Sequence, residues 1–406
     1  MKQVIYFFAT LCVAVVFVAC QKDIASSPEV RRATPNLPAV PYEYANIDVA
    51  NIANSQTDIA NPIFTSFTLA NFGIDNNKAT LGRVLFYDTQ LSINNRISCG
   101  TCHHQQLGFA EPKAFSEGFE GRMTTRNSMA IINTVFNGNL FWDSRSHSTE
   151  DLVLRPIQNH IEMGMEDLSI LKRKLAAIPY YQELFNKAFA AEITNSDLIT
   201  ESTISTALAQ FVNTLVSCNS KFDEGSRSQF ANFSEMEKMG KDLFFSTRTN
   251  CSNCHRGKNF TVSSQEFAFD TIYGGHGGGG GPFFDPITGE LTFSQGSMGT
   301  ANIGLNLIYN DNGRRDGKFK IPSLRNIAVT APYMHDGRFN TLEQVIAHYN
   351  KGIQPHIHLD NNLKNTDGAP RNMNLSPIEQ QALVAFLNTL TDTKSLTEPM
   401  FSDPFR

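Results

Sequence analysis

Cys99-Gly100-Thr101-Cys102-His103 and Cys251-Ser252-Asn253-Cys254-His255 are two copies of one pattern. In C-x-x-C-H the two thiols can bond the vinyl groups of a haem as thioethers, and the histidine that follows can ligate the iron axially. Paired C-x-x-C units also make zinc sites of four cysteines, or of three cysteines and a histidine. Here the two pairs lie far apart in the chain, and each has His directly after its second Cys. That arrangement favours two covalently bound haem c groups over zinc.

Attachment of c-type haem happens outside the cytoplasm, so the N-terminus bears on the same question. Lys2 precedes an apolar run over residues 4–19, too short and too early for an ordinary membrane span and suited to a signal peptide. The run ends in Phe17-Val18-Ala19-Cys20, which resembles a bacterial lipobox with Cys20 as the lipidated residue. Phe17 is unusual there, and plain cleavage without lipidation is the alternative. The expectation is a periplasm-facing lipoprotein that meets the membrane only through its lipid.

Seven cysteines are present. Cys12 falls in the leader, Cys20 takes the lipid, and Cys99, Cys102, Cys251 and Cys254 hold haem. Cys218 remains, reads as a packing residue after an apolar helical stretch, and has no partner for a disulfide within the chain. The 406 residues suffice for two domains of ordinary size. A net charge of −5 without a basic cluster argues against a nucleic-acid partner.

The elements that must position the motifs repeat. "LGRVLFYDTQLSINNRISCGTCH" (residues 81–103) and "MGKDLFFSTRTNCSNCH" (residues 239–255) share a Gly-basic-x-Leu-Phe helix leading into the motif. Such self-similarity predicts a mainly α protein of two cytochrome c-like haem domains related by internal duplication. The boundaries expected are a signal peptide over 1–20, a polar tether over 21–76, haem domains over 77–220 and 221–395, and a tail over 396–406. Ser234-x-x-Glu237, Thr341-x-x-Gln344 and Ser376-x-x-Glu379 read as capping boxes, and 197–216 and 378–390 as apolar-periodic helices. Residues 274–281, glycine except for His276, mark a loop; without a preceding strand or a following helix with Lys they make a poor phosphate cradle.

From about residue 79 to 390 the chain resembles the bacterial di-haem cytochrome c peroxidases and their MauG relatives. The matching blocks are "GRVLFYD...ISCGTCH", "RNSMAIINTVFNGNLFWDSR", "PIQNHIEMGM", "CSNCHRGKNFT" and "GKFKIPSLRNIAVTAPYMHDGRFNTLEQVIAHYNKG". The resemblance implies an N-terminal peroxidatic haem on His103 and a C-terminal electron-transfer haem on His255. It implies that Trp142, the only Trp, lies between the haems. Glu162 matches the carboxylate above the peroxidatic iron, where it can take a proton from hydrogen peroxide and return it to the leaving hydroxide. Asn127, Thr330 and Pro332 match the ligands of an inter-haem calcium ion, a hard cation suited by oxygen donors. His335 matches a histidine near the second haem, expected to make a propionate contact or a structural hydrogen bond.

Three positions depart from the family pattern. Family members that need reductive activation carry a capping His where this chain has Phe119, which cannot ligate iron, so the first haem is expected to be open in every redox state. The axial Met of the second haem aligns with Tyr349, as in MauG; a phenolate there favours ferric iron, and neighbouring His348 is the rival ligand. Leu152 stands where an active-site Gln is frequent.

The function expected is reduction of hydrogen peroxide to water with electrons from a small redox protein, a cytochrome c or a copper protein. The first alternative is a MauG-like enzyme that uses high-valent iron to oxidise a protein or a small aromatic substrate. The second is a non-enzymatic di-haem electron carrier, disfavoured because Phe119 leaves one iron without an evident sixth ligand. A second copy of the chain, forming a homodimer, is a further candidate partner.

Overall fold

Both copies of the Gly-basic-x-Leu-Phe sequence are helical. Asp75 accepts hydrogen bonds from the backbone N–H groups of Asn77 and Lys78 and so starts α1, Asn76–Tyr87; the free N–H groups of a first turn need such an acceptor. Thr200 opens α2, Glu201–Thr214, in a capping box with Thr203. Ser234 and Glu237 open α3, Glu235–Phe244, and Ser376 and Glu379 open α4, Pro377–Asn388. All three capping boxes read from the sequence are present, including that of Thr341 and Gln344. The helices expected over 197–216 and 378–390 are α2 and α4, each trimmed by its caps. The computed structural model describes residues 34–53, 67–193, 197–262, 282–284, 291–293, 300–305, 313 and 317–406. The leader with Cys12 and Cys20, and the glycine loop 274–281, lie outside the described residues.

α1 packs on α2, and α3 on α4, in the same way. A Cβ at Gly82 would sit 1.9 Å from the Ala207 carbonyl oxygen and 2.8 Å from Phe211 Cβ. At Gly240 it would sit 1.8 Å from the Ala382 carbonyl oxygen and 2.8 Å from Phe386 Cβ. Only a hydrogen fits between either pair of backbones. Each crossing seeds an apolar cluster: Leu81, Leu85, Phe86, Leu208 and Phe211 belong to the first, and Phe244, Phe260, Leu383 and Phe386 to the second. Burial at about 25 cal/mol per Å² of apolar area holds such clusters together.

The protein is mainly α. Strand pairing among the described residues is short: Pro282–Phe284 with Leu291–Phe293, and Thr300–Ala301 with Phe319–Lys320, both antiparallel. No described helix is long and apolar enough to cross a membrane. Residues 35–406 form one compact unit.

The structure departs from the sequence reading at both ends of this unit. Tyr44, Val49, Leu69 and Ile74, read as part of a tether, are buried in the first apolar cluster. The segment read as a tail is strapped to the same half. Met400 O accepts from the Tyr44 hydroxyl at 2.8 Å, Phe401 O from Tyr87 at 2.7 Å and Ser402 O from Arg83 Nε at 2.7 Å. The Ser-, Pro- and Asn-rich composition of these stretches hides a few well-placed large side chains that do the packing.

Gly82→Ala should therefore destabilise the fold although alanine is the better helix former. The helix preference for Ala over Gly is about 1 kcal/mol, whereas forcing two backbones apart costs about 1–3 kcal/mol. Thermal unfolding should show a lower midpoint for this variant; a higher one would mean that the crossing yields easily.

Candidate haem sites

The first motif is a single helical turn, Cys99–Cys102, opened by Ser98 in a capping box with Thr101. His103 follows at its C-terminal end, and its backbone N–H donates to Cys99 O at 3.0 Å. The His103 ring gives its Nδ1 proton to Phe109 O at 2.7 Å. A carbonyl can only accept, so this bond fixes the tautomer and leaves Nε2 with its lone pair for a metal. Burial pulls His103 down to about 4, against that hydrogen bond. Burial likewise pushes Cys99 and Cys102 up to about 12, so both thiols stay protonated.

The second motif repeats this geometry. Cys251–Cys254 is one helical turn, and the Nδ1 of His255 donates to Phe260 O at 3.0 Å. Phe109 and Phe260 both have left-handed backbones, with φ of 59° and 52°. A bulky residue is held there only when its surroundings over-determine it. For Phe260 one restraint is visible: the buried Arg325 guanidinium donates through Nε to Lys258 O at 2.8 Å and lies over the Phe260 ring. Asp223 anchors that guanidinium by accepting from Nη2 at 2.8 Å. Burial raises the Asp223 carboxyl, but Arg325 and Ser220 outweigh it and hold it below the usual range.

A cavity of about 200 Å³ opens onto the second motif, with Cys251, Cys254, His255, Trp142, Lys320 and Tyr349 among its lining residues. Tyr349 stands on the π-helical turn His348–Gly352. Its phenol is pushed up, mainly by burial and then by the two nearby thiols, Cys254 and Cys251. No described residue makes a hydrogen bond to its hydroxyl. His348 is turned elsewhere, with its Nε2 donating to Ile303 O at 3.0 Å. Lys320 is buried too, and desolvation pulls its amine down to about 8.

One backbone segment joins the two motifs. Trp142 Nε1 donates to Asn127 O at 2.9 Å, and the adjacent Ser128 hydroxyl donates to Cys102 O at 3.2 Å. Asn127 N donates to His335 O at 2.7 Å, and the His335 ring stacks on Phe319 at 3.7 Å. Trp142 and His335 occupy matching places in the two halves: each stands in a short antiparallel bridge, Leu140 with Ser146 and Tyr333 with Phe339. Asn127, Thr330 and Pro332 all line the cavity. Their donors are amide, hydroxyl and carbonyl oxygens, which fit a hard cation without a carboxylate among them.

Glu162 belongs to the first motif. Its charge is felt by both Cys99 and Cys102. Burial raises its carboxyl above the ordinary range, with Arg145 opposing. Phe119 is pinned beside it: Phe119 N lies 2.7 Å from Ile161 O and 2.9 Å from Glu162 O, shared between the two carbonyls. Leu152 packs at the edge of the first apolar cluster.

The zinc alternative finds no support in this arrangement. Among the described residues no group of three or more His, Cys, Asp or Glu is placed to hold a metal ion. Each motif instead offers two neutral thiols and one oriented imidazole, and the second adds an apolar cavity with an unpartnered phenol, which is a set that fits haem c. Sequence reasoning missed the acceptors Phe109 and Phe260, the Arg325–Asp223 pair and Lys320. It also missed Glu111, a buried carboxylate beside Cys102 that accepts from Ser116. A lysine and an arginine within the apolar "FKIPSLRNIAV" were the visible signal for two of these.

A family model described as di-haem cytochrome c peroxidase matches residues 76–230. The methylamine utilization protein MauG of Methylorubrum extorquens is 30% identical over 77% of this chain and 78% of its own length. The cytochrome c551 peroxidase of Nitrosomonas europaea is 31% identical over 77% of this chain and 79% of its own. A crystal structure of a MauG-like protein associated with microbial copper homeostasis superposes with a TM-score of 0.68 at 30% identity, covering 82% of this chain and 94% of that one. With two oriented His-Cys-Cys turns in the same fold, the chain belongs to the di-haem cytochrome c peroxidase and MauG family and is an oxidoreductase of the peroxidase type carrying two c-type haems.

Proposed function

We propose that this protein reduces hydrogen peroxide to water at its first haem site, drawing electrons through the second site from a small redox protein, a cytochrome c or a copper protein. The observation that carries the reading is the pairing of Glu162 with Phe119. A half-buried carboxylate stands beside the first motif, and the neighbouring side chain has no lone pair with which to close the iron. When bound, the haem supplies the iron that takes peroxide and the electrons that reduce it. The chain's own part is proton traffic. The Glu162 carboxylate accepts the proton from the peroxide oxygen nearer the metal and passes it to the far oxygen, which leaves as water. Two electrons and two protons balance each peroxide to two waters. Trp142, hydrogen-bonded to Asn127 O, would relay electrons between the sites, and His255 and Tyr349 would hold the iron of the second haem. Asn127, Thr330 and Pro332 are the residues that would hold calcium between them.

A second reading is favoured by Tyr349 itself. A phenol ligand lowers the potential of the second haem, as suits a MauG-like enzyme that stores oxidising equivalents and uses them on a protein or an aromatic substrate. Steady consumption of peroxide with a reduced cytochrome or copper protein supports the first reading. A long-lived oxidised spectrum with little turnover supports the second.

Glu162→Gln keeps the size and removes the base, so peroxide cleavage in stopped flow should slow by roughly 10²- to 10⁴-fold. Burial raises the Glu162 carboxyl, and the protonated form cannot act as base. The rate of the parent enzyme should therefore fall as pH drops through a midpoint above the ordinary glutamate value, and the variant should lose that limb. An unchanged rate and pH profile would remove Glu162 from the mechanism.

The fully oxidised enzyme should react with peroxide without prior reduction, and its resting ferric spectrum should contain one high-spin haem. Two low-spin haems, together with silence toward peroxide until an electron is added, would restore the activation step. We also propose that the protein faces the periplasm on a lipid at Cys20. Cys20→Ala should move it from membranes to the soluble fraction, and an acyl-free soluble parent would contradict the anchor.

A further inference from the structure

The cavity at the second motif has an unusual charge balance. Its described lining contains no Asp or Glu, and Lys320 is its one Lys or Arg. Lys320 is 7% exposed, and its ammonium makes no hydrogen bond or ion pair with any described residue. Its backbone is held in place. Phe319 and Lys320 form the strand paired with Thr300–Ala301, Lys320 N donates to Trp142 O at 2.7 Å, and the Phe319 ring is stacked on His335. An isolated ammonium in an apolar cavity is costly, and such charges are kept only when an anion answers them.

We propose that Lys320 is the anion anchor of the second site, its ammonium binding a carboxylate of the tetrapyrrole held by Cys251, Cys254 and His255. This inference rests on the haem reading of that motif and adds to it a recognition group that the C-x-x-C-H pattern does not contain. The ligand chemistry follows from the cavity. The vinyl edge of the porphyrin is consumed by the two thioethers, leaving its two propionates as the charged groups that must be accommodated. Among the described residues, the walls that receive them offer one Lys or Arg, Lys320. A cation paired there favours the ferrous over the ferric haem, because reduction removes one positive charge from the metal. Lys320 thus opposes the pull of a phenolate from Tyr349 and keeps the second haem reducible by a protein donor.

The test uses the holoprotein with Lys320→Met and Lys320→Arg. Both variants should keep the mass of two haems, since the thioethers do not involve Lys320. In Lys320→Met the propionate bending band of the second haem should shift in the resonance Raman spectrum. Its reduction equilibrium should weaken by about tenfold, which for one electron is ~59 mV. Lys320→Arg should retain the parent band and potential. A Lys320→Met protein with both haems attached and neither band nor potential moved overturns the assignment. So does a Lys320-dependent response to added chloride or formate with an unmoved propionate band, which would assign the ammonium to a free anion. If Lys320→Met does not fold, Lys320→Gln gives the same comparison. A parent protein without haem mass at the second motif overturns the haem reading itself, a result distinct from either outcome for Lys320.

Discussion

An imidazole can serve iron through one nitrogen only if the proton on the other is held elsewhere. In both halves of this protein a phenylalanine carbonyl holds it, Phe109 for His103 and Phe260 for His255. Each of those carbonyls is aimed by a left-handed backbone at a bulky residue, a conformation that must be enforced from outside. Much of the surrounding structure reads as that enforcement. The buried Arg325–Asp223 pair grips the loop carrying Phe260, while Phe109 is packed into the first cluster against Phe86. Breaking a buried pair of this kind typically costs 3–5 kcal/mol because it strands a charge. The second proximal histidine is thus tied to an interaction it never touches.

One backbone segment also runs between the two motifs. Asn127 and Ser128 reach Trp142, His335 and Cys102 through three hydrogen bonds, all of them involving main-chain atoms. Because the backbone makes these contacts, side-chain variation at 127 leaves most of the link in place. Trp142 faces the second cavity while its indole N–H is tied to the segment that touches the first motif. An aromatic ring so placed has one orientation, set by a bond of about 1 kcal/mol in net worth.

The sequence was most legible where chemistry demands fixed spacing. The two motifs, the helices preceding them, and the capping boxes at Ser234, Thr341 and Ser376 follow from local rules and appear in the structure as read. The glycines of the repeat were visible as letters, but their reason was not. Gly82 matters through Ala207 and Gly240 through Ala382, contacts that no local pattern encodes. The same limit hid Lys320, whose significance lies in what is missing from the walls around it. It also hid Tyr44 and Leu69, whose burial depends on residues hundreds of positions away or on the far side of a helix pair. Composition describes a segment's average, and a few anchoring side chains are enough to override it.

The strap formed by residues 400–402 has a consequence for the order in which the molecule folds. Tyr44, Arg83 and Tyr87 belong to the first half of the chain, yet their polar groups are satisfied by residues 314 to 356 positions further on. Contacts that span nearly the whole chain form late, after the loop-closure entropy of everything between them has been met. The first half therefore completes its packing only once the strap has docked. The wall it covers is built on α1, whose Tyr87 ring lies against the Cys99–Cys102 turn. A contact between residues 314 positions apart thus lies behind the ring that backs the first attachment turn.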